Sequence, residues 1–295
     1  MSLSGQPLAI YTLSTRSPSG SAVRAYVEDT GGALRKSGCR HLLILVHGFN
    51  NSVADATDSY QLLLARFEEH FSRSRAAPDA IAFFHWPGDV GGWFSRAGYP
   101  FDIEQAQAAA ARLADYLKGF PNATAPGSLK ISLIGHSLGC RLIFEMLASS
   151  LPAVLALNIA VVSLMAPAVP VEMVDAAGSF KTTVAPPRRI LKCYSRQDYV
   201  LWMAFPAGQA AAFAIGKEHA LYREAIGLYG NPGGMGVGVE TTNGHSDYWG
   251  DQNVANRFSA AIDPAFYTLP APRTQATRGL PQPADFAARP LGMWS

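Results

Sequence analysis

The chain has little charge, few cysteines and no long uninterrupted apolar run. Charged residues make up 16% of its 295 positions and apolar residues 48%, which excludes a mainly disordered polymer and leaves enough apolar mass for one large core. Lys and Arg total 24 against 22 Asp and Glu, a formal net charge of +2, with no dense basic stripe. Nucleic acid is therefore not an expected partner. The small basic excess sits in Arg35-Lys36, Arg73, Arg75 and Arg188-Arg189, read as solvated surface. Only three cysteines occur, Cys39, Cys140 and Cys193. An odd number without metal-type spacing excludes a disulfide framework and a zinc motif, and points to free thiols in a reducing compartment. No metal or other cofactor is expected.

The longest apolar stretch, Leu151 to Pro170, is broken by Pro152, Asn158, Ser163 and Pro167, so it reads as strand and loop and not as a membrane span. Residues 1–20 lack the basic segment and apolar run of a secretory signal, and a cytoplasmic location is the expectation.

What is present is an alternation of short apolar strands with amphipathic helices. Strands are predicted at His41–Val46, Asp79–His85, Leu129–Ile134, Asn158–Leu164 and Arg189–Cys193. Helices are predicted at 54–71, 102–117, 138–149, 171–177, 203–215 and 254–262, while Gly227–Gly238 is too glycine-rich for either element. This order predicts an α/β fold, a three-layer α/β/α sandwich with a mostly parallel central sheet. Residues 1–265 read as one domain with a candidate lid around 203–235, and 266–295 as a Pro/Ala-rich C-terminal tail.

Within this pattern the run Ile131-Ser132-Leu133-Ile134-Gly135-His136-Ser137-Leu138-Gly139 places a serine between two glycines, after a strand and before a helix. A sharp strand-to-helix turn lifts such a hydroxyl clear of the backbone, and Ser137 is the candidate nucleophile. His136 adjoins it but points away in a turn of this kind, and is assigned packing or hydrogen bonding. The Leu138 N–H, at the helix N-terminus, is one candidate oxyanion donor. His47-Gly48-Phe49-Asn50 ends an earlier strand, and loops after neighbouring parallel strands converge on one sheet edge. The Phe49 N–H is the second candidate donor, with His47 a buried loop histidine.

The acid should follow a later strand. Tyr194-Ser195-Arg196-Gln197-Asp198 makes Asp198 the better-placed carboxylate, with Asp175 the alternative acid. A base following the acid leaves His219 and His245. His219 lies in a charged, helix-like context and reads as surface, whereas His245 lies in the polar loop Thr242-Asn243-Gly244-His245-Ser246-Asp247. His245 is the candidate base, and Asp247 a turn-forming residue. Trp86, Trp93, Phe94 and Tyr99 lie with Phe49 on or near loops above the nucleophile, where they form an apolar substrate wall or seal the core edge. Phe205 and Phe213 belong to the candidate lid, and Arg96 and Arg196 look too isolated to clamp an anion.

On the His47-Gly48-Phe49 loop, the Gly135–Gly139 elbow and the ordered Asp198 and His245, the chain resembles the α/β-hydrolase superfamily from about His41 to His245. Trp86-Pro87, Gly91-Gly92, Tyr99 and Asp102 make it most similar to the bacterial serine hydrolases of the DUF900 type. It departs from that group at Gly88-Asp89, where Ser and another small residue are usual. The resemblance implies ester or related acyl hydrolysis. The expected function is a serine esterase acting on a small ester with an apolar group. A thioesterase, peptidase or acyltransferase would share the same three residues, and a non-catalytic binding protein of the same fold is the contrasting alternative. Oligomeric state is not readable.

Overall fold

The computed structural model describes residues 8–17, 22–71, 77–89, 99–120, 129–149, 157–175, 177–183, 189–230 and 235–263. The tail read at 266–295 lies outside these residues.

Among the described residues eight strands form one sheet in the order β2-β1-β4-β3-β5-β6-β7-β8. They are β1 (Ala9–Arg16), β2 (Val23–Asp29), β3 (His41–Val46), β4 (Ala80–His85), β5 (Lys130–His136), β6 (Asn158–Met165), β7 (Arg189–Tyr194) and β8 (Val237–Glu240). Only the β1–β2 pair is antiparallel. β3 and β4 are buried at every position, which is why they read as continuous apolar runs and not as alternating ones. Full burial of one Leu, Ile or Phe side chain is worth about 2 kcal/mol, so these central strands anchor the core.

The five longer helices are α1 (Val53–Phe71), α2 (Tyr99–Lys118), α3 (Leu138–Ala148), α4 (Phe205–Ala214) and α5 (Gln252–Ile262). The chain runs from β3 outward to β4 through α1, then back across β3 to β5 through α2. Right-handed crossovers in opposite directions put their helices on opposite faces. Accordingly α1 packs with α5, while α2 packs with α3 and α4 on the other face. The sheet reverses direction between β3 and β5, so the loops after these two adjacent strands diverge and open a crevice at their carboxyl ends.

Strands β1, β2 and β8 were not expected from sequence. β1 and β2 are mostly half-exposed, with Leu13 and Val27 their buried apolar anchors, so their polar residues mask the pattern. β8 begins at the end of the glycine-rich run and is likewise nowhere fully buried. The buried Lys192 of β7 donates its ammonium to the Met235 carbonyl just ahead of β8. The helix expected to be capped by Asp102 begins at Tyr99, which puts Asp102 inside its first turn.

The candidate-lid segment contains α4. Phe205 is buried, whereas Phe213 is exposed. Gln209 Nε2 donates to Tyr99 Oη at 3.1 Å, and the side chains of Arg141 and Glu218, both 1% exposed, form an ion pair that ties the segment after α4 to α3. Among the described residues no helix is long and apolar enough to cross a membrane.

Candidate active site

Ser137 is the junction between β5 and α3, and the sequence forces it there. The buried run Ile131–Ile134 continues the sheet, and the helix begins one residue after the serine. Ser137 adopts φ 51°, ψ −123°, in the left-handed half of conformational space that a non-glycine residue occupies only under constraint. Its N–H donates to Met165 O at 2.9 Å, and its carbonyl accepts from Cys140 N (3.0 Å) and Ala168 N (3.2 Å). The flanking glycines let the loop after β3 close onto this turn. A Cβ at Gly139 would collide with the His47 carbonyl and lie 2.8 Å from Val46 O; one at Gly48 would lie 2.9 Å from Ser137 Cβ. Side chains larger than hydrogen would therefore push the two loops apart.

His245 reaches this turn from the far side of the sheet, on the loop after β8. Its Nε2 lies 2.9 Å from Ser137 Oγ, and its Nδ1 lies 2.8 Å from Asp198 Oδ2. A carboxylate only accepts, so Nδ1 carries the imidazole proton and Nε2 offers a lone pair to the serine hydroxyl. Asp198 follows β7 and is fully buried; its Oδ1 accepts from Leu201 N at 3.0 Å, which fixes the plane of the carboxylate. Ser137 is 5% exposed, and the His245 side chain 15%. The imidazole is thus the most open of the three groups.

The other sequence candidates sort themselves by position. Asp175 ends the short helical turn Val171–Val174 and has no bond to His245, whose carboxylate partner is Asp198. His219 is exposed. Asp247 turns the loop, accepting the Gly244 N–H at 2.7 Å. Arg196 is not isolated as expected but pairs with Glu240 at 3.3 Å. Trp93, Phe94 and Arg96 lie outside the described residues. Tyr99 is 9% exposed and meets the Phe49 ring edge-on, with centroids 5.8 Å apart. Trp86, expected on the substrate wall, is fully buried and belongs to the support of the β3 loop. Its indole donates to the His47 carbonyl at 3.0 Å, and its backbone N–H to His47 Nε2 at 3.2 Å.

Sequence reasoning missed how heavily that loop is braced. His47 Nδ1–H donates to Gly48 O at 2.8 Å, and His47 N–H to the Tyr60 hydroxyl at 2.7 Å. Burial pushes the His47 imidazole down to about 3, so it stays neutral while holding both bonds. On the other side of Phe49, Asn50 adopts φ 56° and donates its N–H to Gly88 O at 2.5 Å. The Gly88-Asp89 departure has its own structural use. Asp89 pairs with both carboxylate oxygens on Arg16 Nη2 (2.6 and 2.7 Å), while Arg16 Nη1 donates to Trp86 O at 3.0 Å. Arg16 lies on β1, a strand not expected from sequence, so this clamp was unreadable in advance. Among the described residues no group of three or more His, Cys, Asp or Glu is placed to hold a metal ion. A groove of about 780 Å³ runs between β8 and α5, bordered by Gln197, Asn243 and Arg257.

An eight-stranded, mostly parallel sheet with helices on both faces and a serine elbow after β5 defines an α/β-hydrolase fold. The chain belongs to the family described as alpha/beta hydrolase of unknown function (DUF900), whose model matches residues 24–209. That stretch includes Phe49, Ser137 and Asp198, and ends before His245. The chain is similar to a predicted CIB-like hydrolase from Thermoplasma acidophilum (16% identity, 77% of this chain and 86% of that one, TM-score 0.39). It is also similar to esterase PE8 (14% identity, 84% and 97%, TM-score 0.43). A third similar structure is acyl-protein thioesterase 2 from Zea mays (15% identity, 76% and 94%, TM-score 0.39). No curated protein sequence matches the chain.

Proposed function

We propose that this protein is a serine hydrolase that cleaves carboxylic esters through an acyl-enzyme, with Ser137 as nucleophile, His245 as base and Asp198 as orienting acid. The observation that carries the reading is the position of one imidazole, His245, 2.9 Å from the Ser137 hydroxyl and 2.8 Å from the Asp198 carboxylate. Ser137 Oγ attacks the ester carbonyl carbon as His245 Nε2 takes its proton, and the carbonyl electron pair moves onto oxygen. The Phe49 and Leu138 N–H groups receive that oxyanion; each such donor is worth about 10²- to 10³-fold in rate. Collapse of the intermediate breaks the C–O bond, and the departing alkoxide takes the proton from His245. Water then adds to the acyl-enzyme by the same route, with His245 as base, and releases the acid. Asp198 stabilises the imidazolium without taking its proton.

The substrate is a small neutral ester whose apolar part meets the Phe49 and Tyr99 rings. Hydrolysis of p-nitrophenyl esters across a chain-length series, with fluorophosphonate labelling, tests this reading. S137A should lose both labelling and turnover. Turnover that survives S137A overturns the reading.

A further inference from the structure

His136, the residue before the nucleophile, is buried at the centre of the site without a part in the chemistry above. Its Nε2 lies 2.7 Å from the His245 carbonyl oxygen. A carbonyl accepts only, so Nε2 carries the proton and the bond has one possible direction. Two consecutive residues therefore hold His245 at two points: Ser137 at the ring and His136 at the backbone. The His136 ring lies 5.0 Å from the His245 ring and 5.7 Å from Trp249, measured between centroids. On its other side, a Cβ at Gly48 would fall 2.9 Å from His136 Nδ1. One imidazole thus fills the space between the loop after β3 and the loop that carries His245.

We propose that His136 is a positioning residue that fixes the backbone of the base-bearing loop to the nucleophile turn, so that Ser137 and His245 move as one unit. The inference rests on the proposed serine-hydrolase reading. Its physical basis is that the loop with His245 follows a four-residue edge strand and needs a tie to the centre of the sheet. A bond to the residue adjoining the nucleophile sets the distance that proton transfer depends on more directly than any tie to the rim. The tie must also stay neutral, because His245 becomes positive during the reaction. The titratable groups facing His136 are His245, His47 and Tyr248, and burial, with the two imidazole neighbours, pushes its imidazole down to about 3. A neutral Nε2–H donor is therefore maintained wherever His245 can act as a base.

The test compares H136L, H136N and H136Q for kcat and KM on a short-chain p-nitrophenyl ester, fluorophosphonate labelling rate, and thermal unfolding. Glutamine can carry an N–H to the His245 carbonyl; asparagine is too short, and leucine has no donor. Misplacing a reacting group by an ångström costs on the order of 10²-fold. H136L and H136N should lose about 10- to 100-fold in kcat and labelling rate with KM changed less than about twofold, and H136Q should recover most of the loss. The acid limb of the kcat–pH profile should move in H136N and return in H136Q. Should H136L fail to fold, the Asn–Gln pair decides. Equal activity in H136N and H136Q, or wild-type labelling in H136L, overturns the positioning role. S137A separates the two ideas: if it abolishes labelling while H136L and H136N stay at wild-type level, only the role of His136 falls. If S137A still labels and turns over, the parent reading falls.

Discussion

Trp86 lies flat on His47, with ring centroids 5.4 Å apart and planes 13° from parallel, and donates its indole N–H to the carbonyl of the same residue. The stack braces the loop that carries Phe49 from beneath, in the interior, away from any substrate. W86F keeps the stack and loses the hydrogen bond, leaving the buried His47 carbonyl short of a donor. The expected cost is about 1–3 kcal/mol of stability with a fall in kcat. Because Trp86 is fully buried, the ranking of ester chain lengths should not change on the proposed reading. Urea unfolding and a p-nitrophenyl ester series check this; a changed ranking would return Trp86 to the substrate wall.

Gly139 tests the contact between the nucleophile turn and the β3 loop. An added Cβ meets the carbonyls of His47 and Val46, which are backbone atoms of a buried strand end and cannot swing aside. G139A should cost about 3 kcal/mol, at the upper end of overpacking penalties, and should depress labelling of Ser137 beyond that loss of stability. Full stability in G139A would mean that the two loops can separate at little cost.

Asp198 sets the tautomer of His245. In D198N the Oδ1 bond to Leu201 N–H can persist, but an amide N–H then faces His245 Nδ1. The imidazole proton moves to Nε2, which can no longer accept from Ser137. A loss of about 10⁴-fold in kcat with little change in fold is the expected result. Steady-state kinetics beside far-ultraviolet circular dichroism measures both.

Three of the buried histidines, His47, His85 and His136, make the fold sensitive to acid. Burial is the main cause that lowers the imidazoles of His47 and His136 to about 3 and that of His85 to about 4, from an ordinary 6.5. Between pH 6.5 and these values the unfolded chain binds more protons than the folded one, so stability rises with pH through that window. It is full above pH 6.5 and is lost on acidification, each histidine contributing up to about 1.4 kcal/mol per pH unit. Unfolding free energies measured from pH 4.5 to 7 should show this slope, and H85Q should flatten it by one proton. An unchanged slope in H85Q would place the His85 imidazole in a more open setting than its 2% exposure implies.

The elements legible in the sequence were those whose burial is complete. β3 and β4 appear as nearly unbroken apolar runs, and the candidate site residues were picked because they sit just past strand ends or next to glycines. Asp198 and Ser137 were picked from their positions after strands and His245 from its place in the chain after the acid, and the structure sets His245 within hydrogen-bond distance of both. The rest was hidden for physical reasons. β1 carries Thr12, Ser14 and Thr15 among its apolar residues, and Thr15 is as buried as Leu13. β8 has Gly238 and exposed flanks, so it depends on β7 for its shape. Trp86 takes the core-sealing side of its two alternatives, and a strand-end tryptophan carries no mark in the sequence of which way it turns. The tie from His136 to His245 spans 109 residues, and no local pattern records it.

β8 closes the sheet with four residues, one neighbour, and a lysine bond at its start, and the loop it leads into carries the imidazole of His245 to the centre of the molecule. Edge segments open at lower free energy than the strands they lie against. Fraying of this margin withdraws the His245 imidazole from Ser137 while the central strands remain intact. On the proposed reading, catalytic competence is then the most fragile property of an otherwise robust scaffold, and inactivation on warming should run ahead of melting.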